Sequence, residues 1–204
     1  MRGLLAVGLV LVIAGQAHGA TLRVPSEFAW IRLAMDAAAV GDTVLVAPGT
    51  YTDCDGPCTA GVVTLKSGVA LVSEGGPDVT VLDAVGPFSS GVVEARGLNG
   101  LGAVLDGFTV TSNLRPLIGL IGLNSLRLEV RNCVFTNGGP ALGMNTTLDS
   151  TELVVTDCVF EGNVGVPSAI QSSGVDVLIE RCVFRGCEGG VVDGVGRLGR
   201  DLTP

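Results

Sequence analysis

Apolar and polar residues alternate in short runs through most of the chain. Leu128 and Val130 face one way with polar neighbours between them, and so do Leu153 and Val155, then Val177 and Ile179. That period of two is the mark of a strand. Each run leads into the same short string: Cys133-Val-Phe135, Cys158-Val-Phe160 and Cys182-Val-Phe184, so that Cys and Phe recur at intervals of 25 and 24 residues. One step earlier, Phe108 and Val110 stand in the Cys and Phe positions. A repeat of this length cannot bury its own apolar face and must stack on the next, at a strand spacing of about 4.8 Å. The pattern predicts an all-β parallel solenoid of about six turns over residues 44–195, with inward files of Cys, Phe and aliphatic side chains.

Between the two strands of each repeat lies a two-residue corner, Arg131-Asn132 in the first copy. Asn and Asp tolerate the left-handed backbone such a corner needs, whereas Arg181, which holds the place in the third copy, is less comfortable there. Gly138-Gly139 and Gly189-Gly190 suit the remaining bends. The register can be checked on outward positions that played no part in setting it. It places Arg127 against Glu152, Asp106 against Arg131, Asp157 against Arg181, and Glu161 against Arg185. Opposite charges on stacked strands attract, so the register is electrostatically consistent, with Glu152 over Asp176 as the exception.

Residues 20–43 read as a strand and a capping helix. Ser26 is the expected N-cap, Ile31, Ala34, Met35 and Ala38 form the apolar stripe, and Gly41 stands where the helix should stop. An amphipathic helix here would cover the open end of the first turn. Residues 196–204 show no cap and read as an uncapped C-terminal tail. At the other end, Met1-Arg2, the apolar run from Leu4 to Ala14 and the small residues near Gly19 have the grammar of a secretory signal peptide over residues 1–19. The run is too short to span a bilayer, and no later segment is long and apolar enough to do so.

Composition narrows the function. Gly (31) and Pro (9) are abundant while aromatics are 4%, which fits many short strands and not a helical bundle. A net charge of −8 argues against nucleic acid as a partner. Loss of Arg2 with the signal segment would lower 12 basic residues to 11, against 20 acidic. His18 is the single histidine and would leave too. A Ser-His-Asp, Cys-His or His-ligated metal site made by the mature chain alone is then excluded. Lys66 is the one lysine available for amine chemistry.

Several segments carry a family resemblance. Leu22-Arg-Val-Pro25, Trp30-Ile31, Ala34-Met-Asp-Ala-Ala38 and Gly41-Asp-Thr-Val-Leu-Val-Ala-Pro-Gly-Thr-Tyr51 resemble the opening of exported right-handed parallel β-helix proteins of the pectin lyase-like superfamily. Val79-Thr-Val-Leu-Asp83, Asp106-Gly-Phe-Thr-Val110 and the Cys-Val-Phe strings resemble its internal turns. The resemblance implies a single-stranded right-handed β-helix with an N-terminal capping helix. It does not imply one activity, since the superfamily holds lyases, esterases, hydrolases and adhesins. Its pectinesterase and polygalacturonase active-site strings are not visible here.

Candidate chemistry is sparse. Cys54 and Cys58 flank an Asp-Gly-Pro turn and are disulfide candidates in an oxidising compartment. Cys133, Cys158 and Cys182 read as a buried column of small hydrophobes, because side-by-side Cβ vectors suit a disulfide poorly. Cys187 has no evident partner. Uronic-acid lyases of the resembling fold bind Ca²⁺ through acidic groups on adjacent turns, which makes Asp53, Asp55, Asp83 and Asp106 the candidate metal ligands. Calcium takes six to eight oxygens, and neither pair supplies more than a start, so corner and loop roles are the plainer reading and no cofactor is expected. Glu152 and Asp176 could serve as the two carboxylates of glycoside hydrolysis, but Arg127 beside them gives a solvated charge column. Asn145-Thr-Thr147 is a glycosylation sequon, and Val134, Val159 and Val183 form an outward aliphatic column.

The expectation is an exported, non-catalytic β-helix acting as an extracellular, periplasmic or cell-surface scaffold, with polysaccharide or cell-surface components as partners. The alternatives are a carbohydrate-active lyase or hydrolase, and a truncated adhesin fragment.

Overall fold

A computed structural model describes residues 19–52, 62–83, 92–96, 101–112, 118–121, 127–139, 141–144, 151–164, 170–171, 175–187, 192–193 and 202–203. The chain enters through β1 (Thr21–Val24) and α1 (Ile31–Ala37), after which strands come in threes. The first round is β2 (Thr43–Val46), β3 (Gly49–Tyr51) and β4 (Val63–Leu65), and the second β5 (Ala70–Ser73), β6 (Thr80–Asp83) and β7 (Val93–Arg96). Next come β8 (Ala103–Asp106), β9 (Thr109–Thr111) and β10 (Ile118–Ile121), then β11 (Arg127–Arg131), β12 (Val134–Thr136) and β13 (Leu142–Met144). β14 (Thr151–Thr156), β15 (Val159–Glu161) and β16 (Ile170–Gln171) are followed by β17 (Val175–Glu180), β18 (Cys182–Arg185), β19 (Val192–Asp193) and β20 (Leu202–Thr203).

Each strand pairs in parallel with its counterpart one round on. The result is three sheets: β1-β2-β5-β8-β11-β14-β17, β3-β6-β9-β12-β15-β18-β20 and β4-β7-β10-β13-β16-β19. This is an all-β parallel β-solenoid of the right-handed type, the winding that parallel crossovers take. Two sheets hold seven strands and one six, because β1 adds a strand ahead of the helix and β20 one beyond the last round. Leu202–Thr203 pairs with Cys182–Val183, so part of the segment expected to be a tail lies in the second sheet.

The register follows the Cys and Phe intervals. Leu128, Leu153 and Val177 stack, as do Val130, Val155 and Ile179, and all six are buried. Val110, Phe135, Phe160 and Phe184 form one inward file. The Phe135 and Phe160 rings stack at 5.1 Å between centroids, and Phe160 and Phe184 at 4.8 Å. Stacked rings at the strand spacing add about 0.5–1.5 kcal/mol per pair beyond their burial. The corner between the first and second sheets is left-handed at the same step in the last four rounds: Gly107 (φ 83°), Asn132 (51°), Asp157 (55°) and Arg181 (52°). Only Arg181 carries an unbranched long chain there, and the ion pair described below holds it.

The start of the solenoid departs from expectation in its helix boundaries. Ser26 does not cap α1. Residues 25–27 form a turn, because the Glu27 and Phe28 N–H groups both donate to Arg23 O, at 3.0 and 3.1 Å. The helix begins only at Ile31, with Trp30 extended in the N-cap position (φ −134°, ψ 143°) and making no side-chain capping bond. It ends at Ala37, ahead of Gly41. Ile31, Ala34 and Met35 are buried against the first strands. Glu27 Oε2 also accepts the Arg23 N–H at 3.0 Å, so β1, the outermost strand of the first sheet, has Arg23 satisfied on both its N–H and its carbonyl by its own following turn. Asp42 ties the far side of the helix to the strand entry, accepting Ala20 N–H and Ala39 N–H at 2.7 Å each. Among the described residues, no helix is long and apolar enough to cross a membrane.

Candidate functional site

The inward corner between the first two sheets brings three thiols into one file. Cys133 and Cys158 immediately precede β12 and β15, and Cys182 opens β18. The ladder continues through them: Val159 N–H donates to Cys133 O and Val183 N–H to Cys158 O, both at 2.9 Å. All three are buried and free of disulfides. Each sulfur has carbonyls in reach. Cys133 Sγ lies 3.1 Å from Arg131 O and 3.9 Å from Leu105 O. Cys158 Sγ lies 3.2 Å from Thr156 O and 3.7 Å from Val130 O. Cys182 Sγ lies 3.4 Å from Glu180 O and 3.6 Å from Val155 O. The neighbouring Cys133 and Cys182 thiols, then burial, push the Cys158 pKa above the ordinary thiol value. At rest Cys158 is therefore the neutral thiol.

Of the acidic candidates, Asp83 and Asp106 are not neighbours in the strand ladders. Asp83 ends β6 in the second sheet, where it stands beside Thr111. Asp106 ends β8 in the first sheet and is engaged with Arg131 Nε at 2.8 Å and Asn132 Nδ2 at 2.9 Å. They do lie on neighbouring turns, but at strand ends of different sheets. Asp53 and Asp55 lie outside the described residues, as do Cys54, Cys58, His18 and Asn145. Among the described residues, no three His, Cys, Asp or Glu side chains converge on a point that could hold a metal ion.

Outward charges mostly join one turn to the next. Arg181 grips Asp157 with two bonds of 2.7 Å, which lowers the Asp157 pKa below its ordinary value. Arg131 meets Asp106 at 2.8 Å and Glu129 at 3.1 Å. Arg127 lies 3.6 Å from Glu152, and Glu161 stands in register with Arg185. Glu152 and Asp176 are also in register, both exposed, and with Val177 and Leu178 they line a depression of about 480 Å³ on the first sheet. Val134, Val159 and Val183 stack outward on the second sheet and are half-buried.

Asn163 and Ser73 were not singled out by the sequence. Asn163 is fully buried, its Nδ2 donating to Phe135 O at 2.9 Å and its Oδ1 accepting Gly138 N–H at 3.3 Å. Cys187 takes the same step one round later, its sulfur 3.6 Å from Phe160 O. That shared role is the partner Cys187 lacked on paper, and the interval of 24 residues was the available signal. Ser73 Oγ donates to Thr80 Oγ1 at 2.7 Å and accepts Gly76 N–H at 2.9 Å. Lys66, the sole lysine, donates to Asp36 O at 3.0 Å and to Ala38 O, and so closes the carbonyl end of α1.

Fold and side chains together define a parallel β-solenoid protein whose described polar groups chiefly join successive turns, a form compatible with a scaffold or a carbohydrate-binding protein. In comparisons with protein families, with curated proteins and with solved structures, nothing matches the chain.

Proposed function

We infer that the protein is an exported, non-catalytic β-helix that works as an extracellular or cell-surface scaffold, with glycan contact along its outer sheets. The observation that carries this reading is the use of the outward charges: Asp106, Asp157 and Glu152 each face an Arg of the neighbouring turn and serve to register turns. The resemblance to pectin lyase-like β-helix proteins and the signal grammar of residues 1–19 support export. The carboxylates of the depression on the first sheet favour neutral glycans over polyuronates, which like charge would repel.

The test is a panel of neutral glycans and polyuronates, with and without calcium. The scaffold reading expects binding of a neutral glycan, no release of unsaturated or reducing ends, and secretion of a chain shortened by the signal segment. A second reading, a glycoside hydrolase, is favoured by Glu152 and Asp176 standing one strand apart, since about 4.8 Å approaches the separation of about 5–5.5 Å used by retaining enzymes. Product release abolished by Glu152→Gln would establish it and overturn the scaffold.

A further inference from the structure

We propose that the buried thiol file formed by Cys133, Cys158 and Cys182 is a site for one thiophilic divalent ion of linear two-coordinate preference, the mercuric ion being the type, held between the central sulfur and one of its neighbours. The geometry comes from the strands. Metal–thiolate bonds of about 2.3 Å on opposite sides of an ion set two sulfurs about 4.6 Å apart. Stacked strands repeat at about 4.7–4.9 Å. A linear S–metal–S unit therefore spans one step of the file without moving the backbone. A direct disulfide does not, because it needs the Cβ atoms about 3.5–4.5 Å apart, closer than parallel stacking sets them.

Charge selects the ion. Two S–H bonds break, two S–metal bonds form, two protons pass to water, and no electron is transferred. A divalent ion with two thiolates is neutral, which suits a core where Cys158 and Cys182 are fully buried and the stacked Phe rings stand two residues away. A monovalent ion would leave a net negative charge there. Zinc is disfavoured because it asks for four ligands, and three thiols in a row do not converge. Entry is by local opening at the Cys182 end, where Phe184 and Cys187 are only partly buried.

The prediction is specific about which thiol matters. Cys158 belongs to both possible pairs, whereas Cys133 and Cys182 stand two steps apart and cannot be bridged. The experiment uses the full chain carrying Cys54→Ser, Cys58→Ser and Cys187→Ser, so that the file holds the remaining thiols. Mercuric chloride alone is added at one equivalent, excess small monothiol is used as competitor, and bound metal is counted after gel filtration. One ion per chain is expected in this background and after Cys133→Ala or Cys182→Ala, with at least a tenfold loss of retention after Cys158→Ala. X-ray absorption should show two sulfur neighbours and no others. The Cys133→Ala/Cys182→Ala double variant, which leaves Cys158 alone, should lose the ion as well and covers the case in which Cys158→Ala does not fold. Retention by Cys158→Ala, loss in either single outer variant, no retention in the background, or equal retention of zinc would each overturn the proposal.

Discussion

Asn163 shows what a single buried amide does in a stacked structure. Its two hydrogen bonds serve backbone groups of the preceding turn, Phe135 O and Gly138 N–H. Removing the amide leaves both without that partner in a dry place, at about 1–3 kcal/mol for each buried polar group. Asn163→Leu should therefore cost at least about 2 kcal/mol in urea denaturation, whereas Cys187→Ala, which deletes only a weak sulfur contact, should cost under about 1 kcal/mol. Phe160 is the other residue of high consequence, since its ring has neighbours on both sides. Phe160→Ala should lose about 3–5 kcal/mol. Phe184→Ala should lose less, because Phe184 is only partly buried and, among the described residues, stacks on one ring. Equal losses at the two positions would show that the file does not behave as a stack.

The elements at the start of the solenoid depend on a few polar side chains. Asp42 is the clearest: N–H groups of Ala39 and then Ala20 hold its carboxylate pKa below the ordinary value of 3.8. A group depressed in the folded state stabilises fully above its unfolded pKa, and that contribution is lost as pH falls through the lowered folded value. Thermal melts of the native chain should therefore fall in Tm below about pH 4. Asp42→Ala should start lower at neutral pH and show a shallower acid limb, and identical limbs would remove Asp42 from the account. Much of this level was legible in the sequence, and the parts that were not have physical causes. The Cys and Phe intervals set the later rounds of the first and second sheets because the corner there is only one or two residues long. The third sheet has no such signature: Val63, Val93, Ile118, Leu142, Ile170 and Val192 stand in register but come at uneven spacing, since the segments between them vary in length. Ser26 was a sound cap by residue type, yet the chain uses that stretch to fold back on Arg23 before the helix begins. Asp83 and Asp106 were paired by repeat position without knowing that a corner separates their sheets.

At the scale of the molecule, contacts run almost wholly between neighbouring turns, so stability is a sum of turn and interface terms. The interior rounds have a partner on both sides. Amide hydrogen exchange should accordingly be slowest in β8, β11 and β14 and faster in β17 and β18, with opening spreading inward from the later rounds. Uniform protection from β2 to β18 would mean one cooperative unit instead. The glycan, metal and exchange experiments address different faces of the stack: outer sheet, inner file and end.

The turn at Glu27 gives the assembly a direction. Arg23 has its N–H and its carbonyl already taken by the residues that follow it, so the first strand is a poor landing place for a second copy joining end to end. Synthesis also delivers that strand before the other described strands. A growing polypeptide then meets a sealed floor on one side and a ready template on the other, and construction proceeds one way. Glu27→Ala frees the Arg23 N–H while backbone donors keep its carbonyl, and this half-opened edge should show itself as concentration-dependent association in light scattering, with folding of the single chain otherwise intact.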